Sequence, residues 1–486
     1  MRLLITLLFI WVSSCSSAKP KLTLEEFFNY TSFSYVGLSP NDGEAVLVQT
    51  SHRIWDRNVS EEHLHLYRLK EKDRILITTQ ASSFDPRWKD DFIALILSED
   101  SPDNMNYIHL YSTRTNKLYP LPISKEYIHT YTWSPTSSSI YFATRTPWSD
   151  EQKAAHEREW RDVIEYREQY RGDTIYRVDI ENMTVSHIEL LVNISLRVVE
   201  IVCSPDGKQL VFSTQPPSLM MEQMVDYELY SLDLTKTSSL VPVRLTYNLA
   251  IEADLKWAVD GSLFFTVTHS GSLEGPYLES QGRLYTLNVT TRQIERWATQ
   301  YTGQINEYQL LQGGRGGVVL FGQLSTEIQA YTQRSVKDEL VKQNGWPGSY
   351  QNIATASNSN SSTIAFLYSN YQKPLEVYVA NNVNQLTEAQ NITNENQLFS
   401  NRNLPLGKPY RWINEEDKTP IEGVLLYPPD KFEEKNLPLF VLIHGGPYRG
   451  DLNILLANWY KCAVMMATAG WLVLQPNYRG SIGNLT

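Results

Sequence analysis

A short turn recurs along this chain, and each copy is followed by a brief apolar run. Ser39-Pro40-Asn41-Asp42-Gly43 precedes Ala45-Val46-Leu47-Val48, and Cys203-Ser204-Pro205-Asp206-Gly207-Lys208 precedes Leu210-Val211-Phe212. Trp133-Ser134-Pro135 precedes Ile140-Tyr141-Phe142, and Trp257-Ala258-Val259-Asp260-Gly261 precedes Leu263-Phe264-Phe265. Weaker copies are Pro86-Arg87-Trp88-Lys89-Asp90 before Ile93-Ala94-Leu95, and Ser357-Asn358 before Ile364-Ala365-Phe366. Proline fixes φ, and Asp-Gly supplies the positive φ of a tight turn. A further strand, such as Leu229 to Asp233 or Leu284 to Leu287, follows the run. The copies lie roughly 45 to 70 residues apart, the size of one four-stranded propeller blade with insertions. From Leu22 to Leu398 long helical faces are nearly absent. The expectation is a mainly β chain: a β-propeller over residues 19–400, with six to eight blades and seven as the central value. An array of β-sandwiches is the alternative, but it gives no reason for the turn to recur with the same neighbours.

Two stretches depart from this pattern. Ser149 to Arg171 is highly charged and reads as a helix capped by Ser149 or Asp150 and stopped by Gly172, a solvated insertion in one blade. Near Asn401 the composition shifts, and Asn401 to Pro409 reads as a linker. Beyond it Ile421 to Tyr427 is a strand ended by Pro428-Pro429. Leu437 to Ile443 reads as a strand buried on both faces, Leu452 to Thr468 as an apolar helix closed by Gly470, and Trp471 to Leu474 as another strand. Strand, helix, strand is a crossover unit of a parallel sheet, so residues 401–486 read as the start of an α/β domain.

The chain of 486 residues is 42% hydrophobic and 20% charged, which fits globular domains and excludes a disordered chain. A net charge of −11 argues against a nucleic-acid partner, which needs a basic surface. Arg2, the apolar run Leu3 to Val12 and Ser16-Ser17-Ala18 make residues 1–18 a secretory signal peptide. No later run is long enough to span a membrane, so the mature chain is expected in the secretory lumen or outside the cell. Val12-Ser13-Ser14-Cys15 offers one alternative, a bacterial lipobox with a lipid anchor at Cys15. Eight Asn-x-Ser/Thr sequons favour a eukaryotic glycoprotein: Asn29, Asn58, Asn182, Asn193, Asn288, Asn360, Asn391 and Asn484. Beyond the signal peptide only Cys203 and Cys462 remain, read as free thiols and not a disulfide framework.

The chemistry-bearing motifs sit at the C-terminal end. His444-Gly445-Gly446-Pro447 directly follows the apolar strand, where glycine N–H groups can face an oxyanion. Asn477-Tyr478-Arg479-Gly480-Ser481-x-Gly483 follows the next strand. Together, Leu439 to Gly483 resembles the start of the catalytic domain of the prolyl oligopeptidase family of serine peptidases, in its acylaminoacyl-peptidase and dipeptidyl-peptidase V branch. The resemblance implies a propeller capping an α/β-hydrolase domain, short peptides as substrates, an acyl-enzyme mechanism and no metal or organic cofactor. It also implies that Gly446 supplies an oxyanion-hole N–H, that His444 and Gly445 shape the loop, and that Arg479 and Gly480 hold the second loop beside it.

The catalytic triad is absent from this sequence. No Gly-x-Ser-x-Gly elbow occurs, and in the family that elbow, the Asp and the His follow the NYRGSxG strand. The resemblance therefore places all three beyond Thr486, with neither Ser481 nor His444 as a triad member, and the chain as given is expected to be inactive. The competing reading is a non-catalytic β-propeller binding protein with a vestigial hydrolase segment. Other candidates are weaker. His63-x-His65 shares a strand face but has no evident third metal ligand. Gly313-Gly314-Arg315-Gly316-Gly317 lacks a phosphate-binding Lys-Ser/Thr and reads as a hairpin loop. Glu25-Glu26, Asp90-Asp91 and Glu415-Glu416 read as surface turns.

Overall fold

The computed structural model of the protein describes residues 19–79, 85–98, 106–123, 126–159, 171–216, 227–236, 240–269, 280–356, 361–446, 449–457 and 461–483. The expected signal peptide at residues 1–18, with Cys15, and the sequons at Asn360 and Asn484 lie outside these residues.

The described residues form seven consecutive four-stranded antiparallel sheets and then one mixed sheet. The first strands of the seven are Ser32–Leu38, Arg87–Lys89, Ile128–Trp133, Arg197–Cys203, Ala250–Trp257, Gln304–Leu310 and Ser349–Thr355. The mainly β expectation agrees with this architecture. The recurring turn joins the first strand of a sheet to its second. In the copy at Ser204, the Ser204 hydroxyl donates to Asp206 at 2.6 Å and accepts the Gln209 N–H at 2.9 Å, while Gly207 turns at φ 71°. The apolar runs are second strands. Leu210, Val211 and Phe212 are all fully buried, although their side chains alternate between the two faces. Leu210 and Phe212 pack against the third sheet, and Val211 packs against the fifth. A strand sandwiched between neighbouring sheets needs a continuous apolar run, which is why that run recurs.

The sixth sheet has no copy of the turn. In its place lies the glycine run, with Gly313, Gly314 and Gly317 at positive φ between Gln304–Leu310 and Val318–Leu324. A Cβ at Gly317 would stand 2.1 Å from the Gln333 carbonyl oxygen. The run is a tight connection, as its lack of a phosphate signature indicated.

Each neighbouring pair of the seven sheets shares one apolar cluster, and the seventh cluster joins the seventh sheet to the first. There Val36, Val46 and Val48 meet Ala365, Leu367 and Val377, so the sheets close into a ring. Asn396, 1% exposed, fastens the seam. Its Oδ1 accepts the Thr31 N–H at 2.9 Å, and its Nδ2 donates to Thr31 O at 2.9 Å and Leu375 O at 3.1 Å. Tyr30 Oη donates to Leu455 O and accepts the Leu375 N–H, both at 2.9 Å.

The charged insertion starts as expected. Helix Asp150–Glu159 has a reciprocal cap, with the Gln152 N–H on Ser149 Oγ at 3.2 Å and the Ser149 N–H on Gln152 Oε1 at 2.9 Å. Residues 160–170 of the expected helix lie outside the described residues.

The last sheet runs in the spatial order Leu406–Ile413, Pro420–Tyr427, Leu472–Asn477, Leu439–Val441, and its last two strands are parallel, as the crossover reading requires. Three expectations are corrected. The linker is shorter, because Pro409 already pairs with Val424 in a strand. The helix is only Ala463–Thr468. Upstream, Asn453 and Leu455 are tied into the sixth and seventh sheets by hydrogen bonds, which keeps Leu452 to Ala457 out of a helix. The strand Leu439–Val441 is covered on one face only. Phe440 and Leu442 pack under the helix, while Leu439, Val441 and Ile443 are 52%, 47% and 67% exposed.

Asn396→Ala leaves buried peptide groups of Thr31 and Leu375 without partners, at a cost of about 2 to 4 kcal/mol. Urea unfolding of the variant is expected to show a lower midpoint with an unchanged slope.

Candidate functional site

Both glycine motifs lie where a parallel pair of strands ends. The first leaves the carboxyl end of Leu439–Val441 and the second leaves that of Leu472–Asn477. The crevice beyond the carboxyl ends of parallel strands is where α/β sheets bind ligands. The Leu442 N–H donates to Leu474 O at 2.9 Å, so the ladder runs up to the start of the first loop.

The two loops hold each other through side chains. The His444 ring stacks on Tyr478 with centroids 4.5 Å apart and planes at 20°. Tyr478 Oη donates to the His444 carbonyl at 2.9 Å, and Ser481 Oγ lies 3.1 Å from His444 Nε2. Gly446 at φ 76° and Gly480 at φ 86° occupy left-handed conformations that favour glycine. Gly445 and Gly446 are exposed, and no atom of the described residues lies within 4 Å of where a Gly445 Cβ would sit. The backbone of the first loop is therefore open to an incoming group. The Arg479 guanidinium pairs with Asp417, in the turn between Leu406–Ile413 and Pro420–Tyr427, and not with the first loop.

The contact between Ser481 and His444 is not a nucleophile and its base. Ser481 is 1% exposed, and His444 Nδ1 is buried with no carboxylate among the described residues to orient it. Three positions that sequence reasoning did not single out contribute. Gln323 Nε2 donates to Ile482 O at 3.1 Å, the Ser325 N–H donates to Gly483 O at 2.7 Å, and the Asp451 N–H donates to Asn477 Oδ1 at 2.6 Å. No local motif marks Gln323 or Ser325, since their partners are more than a hundred residues away.

The other candidates fall as follows. His63 and His65 lie on one strand, and His52 on the paired strand shares their sheet face, with the His52 and His63 rings 4.3 Å apart. Among the described residues no group of three His, Cys, Asp or Glu is arranged to hold a metal. Burial, then the neighbouring Arg74, His63 and His52, pushes His65 down to about 3. Burial also lowers His52 and His63. Glu26 pairs with Arg402 and caps a short helix, whereas Glu415 and Glu416 are exposed. Cys203 is buried and Cys462 half-buried, both free, and burial pushes the Cys203 thiol up to about 12. The six sequon asparagines among the described residues are all exposed. A cavity of about 660 Å³ opens between the first and seventh sheets, but its lining, which includes Tyr67, Lys72, Arg74 and Asn391, has no Ser, Cys or His. Among the described residues no helix is long and apolar enough to cross a membrane.

No family model matches this chain, and no curated protein matches it in sequence. Solved structures do. The acylaminoacyl peptidase of Pyrococcus horikoshii superposes with a TM-score of 0.70 at 15% identity, over 94% of this chain and 67% of that one. A puromycin-hydrolyzing peptidase of Mycobacterium tuberculosis gives 0.68 at 14% identity, over 96% and 69%. A prolyl endopeptidase gives 0.62 at 11%, over 93% and 62%. The chain shares its fold with these peptidases.

Two outcomes follow. Buried His65 binds a proton more weakly folded than unfolded, so its contribution is intact above pH 6.5 and is lost as pH falls towards 3. His65 alone accounts for up to about 1.4 kcal/mol per pH unit across that window. A urea series from pH 7.5 to 4.5 is expected to show a shallower acid decline in His65→Gln than in the wild type. Ser481, being buried, is expected to remain unlabelled by a fluorophosphonate, as read by peptide mass spectrometry.

Proposed function

We propose that this chain is the larger part of a secreted serine-type peptidase of the prolyl oligopeptidase family, an exopeptidase or oligopeptidase that cleaves short peptides. In this reading the seven sheets are the seven blades of a β-propeller spanning residues 19–400, and residues 401–486 begin the α/β-hydrolase domain. The observation that carries it is the pair of glycine loops at the carboxyl ends of adjacent parallel strands. The same fold occurs in peptidases at TM-scores up to 0.70, and about a third of the acylaminoacyl peptidase chain has no counterpart here.

The chemistry is acyl transfer. A serine oxygen attacks the peptide carbonyl carbon while a histidine takes the serine proton. The C–N bond then breaks as that proton passes to the leaving amine, and water hydrolyses the resulting ester. The Gly446 N–H would donate to the oxygen that becomes negative, with the open backbone at Gly445 leaving room for the substrate. The serine, the aspartate and the histidine are assigned to sequence beyond Thr486, and the reaction calls for no cofactor. The uncovered face of Leu439, Val441 and Ile443 supports this assignment over a free-standing binding protein. An apolar strand in a parallel pair is normally covered on both faces, and an exposed apolar face on an edge strand invites aggregation.

The test is turnover of aminoacyl and acylaminoacyl arylamides, combined with fluorophosphonate labelling. The chain of residues 19–486 is expected to hydrolyse neither substrate and to take no label. The protein isolated from its source is expected to hydrolyse at least one and to carry the label on a serine outside residues 19–486. Turnover by the shorter chain would overturn the proposal. Removal of N-linked glycans from the source protein is expected to lower its mass, because the described sequon asparagines are exposed.

A further inference from the structure

The second glycine loop is held from outside its own sheet. The hairpin between Val318–Leu324 and Glu327–Gln333 of the sixth sheet reaches up to it, with Ser325 at φ 62° at the tip. The Ser325 N–H donates to Gly483 O at 2.7 Å, and Ser325 Oγ donates to Glu422 Oε2 at 2.5 Å. Gln323, 1% exposed, donates through Nε2 to Ile482 O at 3.1 Å. From the neighbouring sheet junction, Gln281 Oε1 accepts the Gly483 N–H at 3.0 Å. The same hairpin also grips the chain that follows the first glycine loop. The Asn453 N–H donates to Thr326 O at 2.6 Å, and Asn453 Nδ2 donates to Glu327 Oε1 at 2.8 Å. The Ile482 N–H closes the circuit onto Arg449 O at 3.2 Å.

We infer that Gln323 and Ser325 are positioning residues, through which the sixth sheet fixes the loop 478–483 and, by way of Arg449 and the stack of His444 on Tyr478, the backbone of His444 to Gly446. The inference deepens the peptidase reading and rests on it for the importance of that backbone. The geometry also explains a glycine. A Cβ at Gly483 would meet Gln323 Cγ at 2.5 Å, so the last glycine of the motif admits the glutamine to the loop. A loop carried by the last sheet alone would need no such close approach from the sixth.

Hydrogen exchange in the described chain tests this without turnover, so it stands or falls separately from the peptidase reading. Gln323→Met keeps the bulk and loses the donor. Amides of 478–483 are expected to exchange about tenfold faster or more, while the first sheet keeps its protection. Gln323→Glu adds a readout that packing alone would not move. Its ionised carboxylate cannot donate to Ile482 O, so the loop is released at neutral pH, and protection returns towards pH 5 as the carboxyl protonates. Glu327, Glu422 and Arg411 share this junction, so the wild type at each pH is the control for their titration. Unchanged protection of 478–483 in both variants would overturn the inference. So would a loss that spreads equally to the first sheet and does not respond to pH in Gln323→Glu.

Discussion

Among the described residues the seam between the first and seventh sheets has no strand ladder across it, so apart from the backbone bridge of Lys21 to Asn403 side chains close the ring. Apolar packing of Val36, Val46 and Val48 against Leu367 and Val377 supplies area. The direction comes from Asn396, which bonds peptide groups of Thr31 and Leu375 on the two sides, and from Tyr30, which reaches across to the Leu375 N–H. The remaining junctions join consecutive sheets and gain from short connections between them. The seam joins segments more than three hundred residues apart, and the loop-closure entropy must be met by this one interface.

The seam also reaches the candidate site. Tyr30 bonds Leu455, which is buried in the seam cluster, and Leu455 lies in the segment between the first glycine loop and helix Ala463–Thr468. The sixth sheet holds the other side through Ser325 and Gln323. The last sheet is thus seated on the sixth and seventh sheets through hydrogen bonds to its loops, which brings the ring next to the two glycine motifs.

The repeat was legible because the second strand of each sheet is buried on both faces, and that demands runs such as Leu210-Val211-Phe212 behind a tight turn. The sixth sheet escaped the pattern because a glycine run replaces the Ser-Pro-Asp-Gly chemistry there, although the geometric need is the same. The same rule misled at Leu439 to Ile443, where a run suited to burial on both faces has one face covered. The glycine loops were legible from local spacing alone. Their supports at Gln323, Ser325 and Asn453 were not, since each is an ordinary polar residue whose meaning comes from a distant backbone. The non-helical path of Leu452 to Ala457 was hidden in the same way. Its apolar residues suit a helix, and long-range hydrogen bonds from its backbone take the place of helical ones.

The central claim is that residues 401–486 open a hydrolase domain whose catalytic groups follow. Reading the native transcript through its 3′ end tests it most directly. The account predicts an open frame continuing past Thr486 into a Gly-x-Ser-x-Gly elbow, then an aspartate and a histidine, in a further segment of some 200 residues as judged by typical domain size. A stop codon directly after Thr486 would contradict it and leave a ring of sheets whose role is binding.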